Sequence, residues 1–125
     1  YGRMRYADLC RYIEEEAGRL GIFVSFFQSN HEGAIIDEIH SAYGKKDGII
    51  INAGAFTHYS YAILDALKAV ALPTAEVHIS DINAREAFRR NSVIRPACQV
   101  CIAGRGYEGY VDAIKELAQQ IQNHG

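Results

Sequence analysis

Hydrophobic positions recur at helical spacing from Asp8 to Leu20, where Leu9, Tyr12, Ile13, Ala17 and Leu20 share one face and Gly21 supplies a stop. The period then changes. Ile22 to Phe27 is β-branched and aromatic, which predicts a strand. Ser29-Asn30-His31-Glu32 has the form of a helix start, with a capping oxygen and an early acid, over a helix ending near Ala42. Gly44 to Gly48 is a turn, and Gly48-Ile49-Ile50-Ile51-Asn52 is the unbroken apolar run of a strand buried on both faces. A loop over Ala53–His58 leads into a helix from about Ser60 to Val70, and Pro73 helps end that region. Thr74 to Ile79 predicts a further strand, Ser80 to Asn91 a polar loop with a short helical turn, and Gln99 to Ala103 a last strand. Gly104-Arg105-Gly106 then precedes helical periodicity from Tyr107 to Gln122.

Strand and helix therefore alternate along the whole chain, without repeats or low-complexity tracts. Such alternation builds right-handed βαβ crossovers and a parallel sheet with helices on both faces. The expected architecture is an α/β fold, a flavodoxin-like three-layer sandwich. Fold alone does not assign function.

Composition narrows the setting. A chain of 125 residues makes one domain with a real core, and 22% charged residues with a net charge of -2 give no basic footprint for nucleic acid. No apolar run reaches the length of a membrane span, and no signal peptide is visible. Cys10, Cys98 and Cys101 are an odd set that suggests reduced cytoplasmic thiols rather than a disulfide framework. Cys98 and Cys101 form a C-x-x-C, yet it falls at a strand entry, whereas redox motifs of this spacing sit at a strand-to-helix turn. The chain opens at Tyr1 rather than at Met and runs straight into helical sequence, so it reads as a segment whose beginning is missing.

In open parallel sheets, ligands bind beyond the carboxyl ends of the strands. There this sequence places Asn52, Gly54, Thr57 and His58 after one strand, and Glu76, His78 and Ser80 on the next. Glu76 and His78 stand two apart in a strand and so share a face. A buried carboxylate beside an imidazole holds its tautomer and favours the imidazolium, which can protonate a leaving oxygen. A purely structural His–Glu pair fits the same spacing. The amides of Ile79 and Ser80, ahead of a helical turn, would suit an anion such as a substrate carboxylate. Arg85 and Arg89 lie four apart and would share a side of that turn, either to bind hydroxyl or carboxyl groups or as a solvated basic face. His31, His40 and His124 read as surface or interface residues, and Phe26, Phe27 and Phe56 as core or loop packing. No residue set suggests a metal or an organic cofactor.

Four blocks carry a family resemblance. Phe27-Gln28-Ser29-Asn30-His31-Glu32-Gly33, Ile51-Asn52-Ala53-Gly54-Ala55-Phe56-Thr57-His58, Glu76-Val77-His78-Ile79-Ser80 and Ala84-Arg85-Glu86-Ala87-Phe88-Arg89 together resemble the type II dehydroquinases, in order and approximate spacing. The resemblance implies a cofactor-independent anti elimination of water from 3-dehydroquinate, giving 3-dehydroshikimate through an enolate. It implies Tyr1, followed by Gly2 as at the end of the family's lid, as the base. His78 becomes the general acid, oriented by Glu76. Asn52, Gly54, His58, Ile79, Ser80 and Arg89 become substrate contacts, and Asp65 and Arg85 become support for the lid or a neighbouring site. It also implies a cytoplasmic homo-dodecamer built as a tetramer of trimers, serving aromatic biosynthesis or quinate breakdown. The family's lysine-using counterpart works through a Schiff base. Lys45, Lys46, Lys68 and Lys115 all fall on predicted turns or outward helix faces, where no amine is desolvated enough for that chemistry.

The sequence departs from the family in several places. The family's first strand and its lid, with a catalytic arginine and an asparagine, are not in these residues, and that strand belongs beside those at Ile22 and Gly48. An additional N-terminal segment is therefore expected, with residues 1–125 as a single, N-terminally incomplete domain. Leu64 replaces an arginine before Asp65, Asp81 and Asn83 replace Asn and His beyond Ser80, and Tyr59 and Tyr61 replace smaller residues. Two other functions remain open: a catalytically silent oligomeric homologue, and a flavodoxin-like binding module.

Overall fold

Three short apolar runs pair side by side in the computed structural model, which describes residues 4–81 and 86–124. They are β1 (Ile49–Ile51), β2 (Thr74–His78) and β3 (Val100–Ala103), parallel and in the order β1-β2-β3. The register sets Ile51 opposite Glu76, and His78 opposite Ala103. All five residues of β2 are buried, as the centre of a covered parallel sheet requires.

Helices cover both faces. On one side lie α2 (Glu32–Ser41) and α3 (Tyr61–Val70), where Ile39, Ile63, Leu64 and Leu67 pack with Ile51 and Ile94. On the other lie α1 (Tyr6–Arg19) and α4 (Glu108–His124), where Ala113 and Leu117 meet Ala75 and Val77, and Ile13, Ala17 and Ile114 form a further layer. Full burial of Ile63 and Leu67 stabilises this packing by ~1.5–3 kcal/mol apiece. Helix α3 begins at Ser60, whose hydroxyl accepts the Ile63 N–H at 3.1 Å and donates to Glu32 of α2 at 2.5 Å. One serine thus caps a helix and ties it to its neighbour.

Most predicted elements form within a residue or two of their expected ends, and three expectations need correction. Ile22–Phe27 forms no strand. Its residues suit a pleated surface, but a strand also needs a paired neighbour, and no described strand pairs with it. Ile22 and Val24 pack against α1 instead, while Lys46 reaches across to the Ser25 hydroxyl at 2.8 Å. The packing role expected of Phe26 and Phe27 fails with it: they are 38% and 47% exposed, and Phe23 is fully exposed. Phe56 does pack against the α2/α3 cluster. The α2 cap differs too. His31 is its N-cap and makes no side-chain cap bond, while the Ser29 hydroxyl accepts the His31 N–H at 3.0 Å, one step too early. Two short 3-10 helices, Gly54–His58 and Arg95–Ala97, occupy stretches in which no helical turn is legible.

Candidate active site

Alternation along β2 decides which groups meet. Ala75 and Val77 face α4, so Glu76 and His78 leave the sheet on the α2/α3 side. Glu76 is fully buried and His78 is 6% exposed. Their side chains are hydrogen-bonded, Glu76 Oε2 to His78 Nε2, as the two-residue spacing requires. The other carboxylate oxygen, Oε1, faces Arg95 Nε at 3.4 Å. Burial on its own would raise the Glu76 carboxyl. The His78 hydrogen bond, the nearby Ser92 hydroxyl and the charges of His78 and Arg95 outweigh it and hold the group below the usual carboxylate range.

The carbonyls that follow set which way the amides of Ile79 and Ser80 point. Those of His78 and Ser80 both accept the Gly104 N–H at 3.2 Å, and that of Ile79 accepts the Gly106 N–H at 2.9 Å. All peptide bonds here are trans, so each N–H points opposite to the carbonyl it is bonded to. The amides of Ile79, Ser80 and Asp81 therefore all point away from the 104–106 turn. Consecutive amides aimed one way form the concave arrangement that suits an anion. Gly104 makes the approach possible: its φ is +76°, and a Cβ there would sit 3.4 Å from Asp81 Cβ.

After β1 the chain winds into the 3-10 helix Gly54–His58. Asn52 Oδ1 accepts the Gly54 N–H at 3.1 Å, which stabilises the turn while Gly54 adopts φ +57°. Its Nδ2 donates to the Tyr110 hydroxyl at 2.9 Å, so Asn52 turns to the α4 side while His78 turns to the α3 side. The two border the strand ends from opposite faces of the sheet. His58 Nδ1 bonds to the Asn91 carbonyl at 2.8 Å and its ring stands edge-on to Phe88. Val93 N–H donates to the Thr57 carbonyl at 2.8 Å, fixing the segment after the polar loop against this 3-10 helix. The buried hydroxyl of Thr57 has no hydrogen-bond partner among the described residues.

Other candidate residues fall elsewhere. Asp65 is exposed on α3. Tyr1 and Arg85 lie outside the described residues, as does the side chain of Arg89, whose backbone belongs to the 3-10 helix Ala87–Arg90. His31 and His40 are exposed, as expected. Lys45, Lys46, Lys68 and Lys115 are all exposed too, so none has the desolvation an amine nucleophile needs. The Cys98 thiol is pushed up to about 12 by burial and by the negative charge of Glu76, and that of Cys101 is raised by burial and Glu76. A redox C-x-x-C needs the opposite shift. Among the described residues no His/Cys/Asp/Glu cluster could hold a metal ion, and no helix is long and apolar enough to cross a membrane. Sequence reasoning missed Arg95 and Tyr110. Only tertiary packing brings them to Glu76 and Asn52, and no spacing signals it.

Helices on both faces of a parallel sheet, with a buried acid–imidazole pair at one strand's carboxyl end, define an α/β protein equipped for proton transfer. The profile of the family described as "Dehydroquinase class II" matches residues 1–118, and the chain belongs to that family. It is 58% identical over 120 residues to the 3-dehydroquinate dehydratase of Caldicellulosiruptor bescii, covering 95% of this chain and 83% of the relative. The enzyme of the same name from Clostridium acetobutylicum is 51% identical over 121 residues, covering 97% and 84%. Among solved structures, the type II dehydroquinase from Butyrivibrio crossotus superposes with a TM-score of 0.91 at 51% identity, covering 94% of this chain and 83% of its own. That from Propionibacterium acnes gives 0.90 at 39% identity, covering 95% and 82%. The flavodoxin-like α/β architecture expected from the alternating elements is the fold of this family.

Proposed function

We propose that this chain removes water from 3-dehydroquinate to give 3-dehydroshikimate, with His78 as the general acid. The observation that carries the reading is the buried Glu76–His78 pair at the carboxyl end of β2, in a chain of the dehydroquinase family whose relatives are named for this reaction. Glu76, held ionised, orients the imidazole and favours its protonated form. In the proposed sequence Tyr1, as tyrosinate, takes a proton from the carbon next to the ketone. The electron pair enters the carbonyl as an enolate. Its collapse expels the hydroxyl on the opposite face, His78 supplies that oxygen's proton, and water leaves behind a conjugated enone. The amides of Ile79 and Ser80 hold the substrate carboxylate, and Asn52, Gly54, His58 and Arg89 contact its polar groups. Every step uses side chains and backbone alone, without a cofactor.

The resemblance also supports assembly into a homo-dodecamer, with Asp65 and Arg85 ordering the lid or a neighbouring site. The exposed Phe23, Phe27, Tyr59 and Tyr61 supply apolar surface for subunit contacts. Sedimentation equilibrium tests this: a monomer at micromolar concentration would refute it. The resemblance likewise supports a cytoplasmic place in aromatic biosynthesis or in quinate breakdown, both of which use this elimination.

Ultraviolet absorbance of the enone, followed after mixing the full-length protein with 3-dehydroquinate, tests the reaction. Turnover that collapses in His78→Ala and in Tyr1→Phe supports the assignment. No turnover from a folded parent refutes it in favour of a silent homologue, and activity surviving both substitutions refutes the roles given to these residues.

A further inference from the structure

The two oxygens of Glu76 face two different charged side chains among the described residues. Oε2 holds His78 Nε2, and Oε1 faces Arg95 Nε at 3.4 Å. Arg95 does not reach this place on a free loop. It opens a 3-10 helix between the fully buried Ile94 and Pro96, and its carbonyl accepts the Cys98 N–H at 2.9 Å. Its side chain remains 45% exposed, so one edge of the guanidinium meets the carboxylate while the rest stays solvated.

The reaction makes that arrangement matter. A general acid alternates between charged and neutral forms. When His78 has given up its proton, Glu76 would be a fully buried anion beside a neutral ring, a state whose desolvation cost nothing on β2 offsets. Without another cation the carboxyl would take up a proton itself and lose its hold on the imidazole. Guanidinium is charged at every working pH. Among the described residues the other ionisable groups facing Glu76 are Cys98 and Cys101, neutral thiols that cannot supply the charge, and Ser92 adds only a hydroxyl.

We propose that Arg95 is the positioning residue of the Glu76–His78 pair: a permanent cation that keeps the carboxylate ionised and aimed at the imidazole in both halves of the catalytic cycle. This rests on His78 acting as the acid, and Arg95 itself touches no substrate in the proposal.

The test compares Arg95→Gln and Arg95→Lys in the full-length protein, with two readouts. Nuclear magnetic resonance titration of the His78 ring needs no turnover. Removing a neighbouring positive charge raises the midpoint of that titration in Arg95→Gln, and Arg95→Lys returns it most of the way. In the enone assay, Arg95→Gln is expected to lower kcat roughly tenfold at neutral pH with KM within about twofold, and Lys to recover most of the loss. A His78 titration that superimposes on the parent's overturns the proposal. A rise in KM with kcat unchanged also overturns it, since the arginine would then hold substrate. A shifted titration in a protein without dehydratase activity would refute the proposed reaction and leave the role of Arg95 standing.

Discussion

His58 and Asn91 are joined ring to backbone: the Asn91 carbonyl lies 2.8 Å from His58 Nδ1. A carbonyl only accepts, so Nδ1 carries the proton and the neutral ring presents Nε2 as an acceptor. This suits a substrate hydroxyl. His58→Ala is expected to raise KM on the order of tenfold, ~1.4 kcal/mol of binding, with kcat within about threefold. Steady-state kinetics decide it, and a collapse of kcat at constant KM would place His58 in the proton transfers.

The depressed Glu76 carboxyl makes folding stability depend on pH. A carboxyl lower in the folded than in the unfolded state contributes stability that is present above the ordinary value of 4.5 and is lost as pH falls through the folded value. Urea unfolding of the parent is therefore expected to show a steep loss of stability below about pH 4.5, and Glu76→Gln a shallower one. The same substitution is expected to cut kcat by roughly 10²-fold, since the imidazole loses the charge that favours its protonated form. Parallel acid profiles in the two proteins would contradict the account.

Gly104 combines φ +76° with an approach of 3.4 Å to Asp81 Cβ for any added methyl. Gly104→Ala is expected to cost ~1–2 kcal/mol of stability by denaturant titration. It also displaces the N–H that holds the His78 and Ser80 carbonyls, so KM for the carboxylate-bearing substrate rises with it. Stability and KM both at the parent's values would show that the 104–106 turn does not set the amide direction.

Helix α3 ends on Ala71, a residue with a Cβ at φ +56°. Glycine takes this left-handed cap position without strain, so Ala71→Gly is expected to raise stability by up to ~1 kcal/mol. Thermal unfolding monitored by circular dichroism measures it. A lower melting temperature would mean that the entropy of the unfolded glycine chain outweighs the strain removed.

What the sequence made legible follows one rule: it is what periodicity can encode. Glu76 and His78 were predicted to be neighbours because side chains two apart in a strand share a face, and they are bonded. The amides of Ile79 and Ser80 were expected to suit an anion because they precede a helical turn. The direction they take is set by three carbonyls drawn to Gly104 and Gly106, and so depends on β3 and the turn after it, a segment distant in sequence. Arg95 meeting Glu76 and Tyr110 meeting Asn52 are likewise products of packing. The stretch from Ile22 to Phe27 shows the limit from the other side. Its residues suit a strand, yet a strand is a property of two chain segments, and composition reports on one.

The pairing of Ile51 with Glu76 has a consequence for how this protein goes wrong. Side chains alternate with period two, so a one-residue slip of β2 would swing Glu76 and His78 into the apolar contact with Ala113 and Leu117, and send Val77 into their place. The same shift would bury an ion pair among apolar side chains and leave Val77 where the pair now stands. Misalignment here is costly: a chain that mispairs this strand places two charged groups in the apolar layer, so correct register and the facing of Glu76 and His78 are selected together.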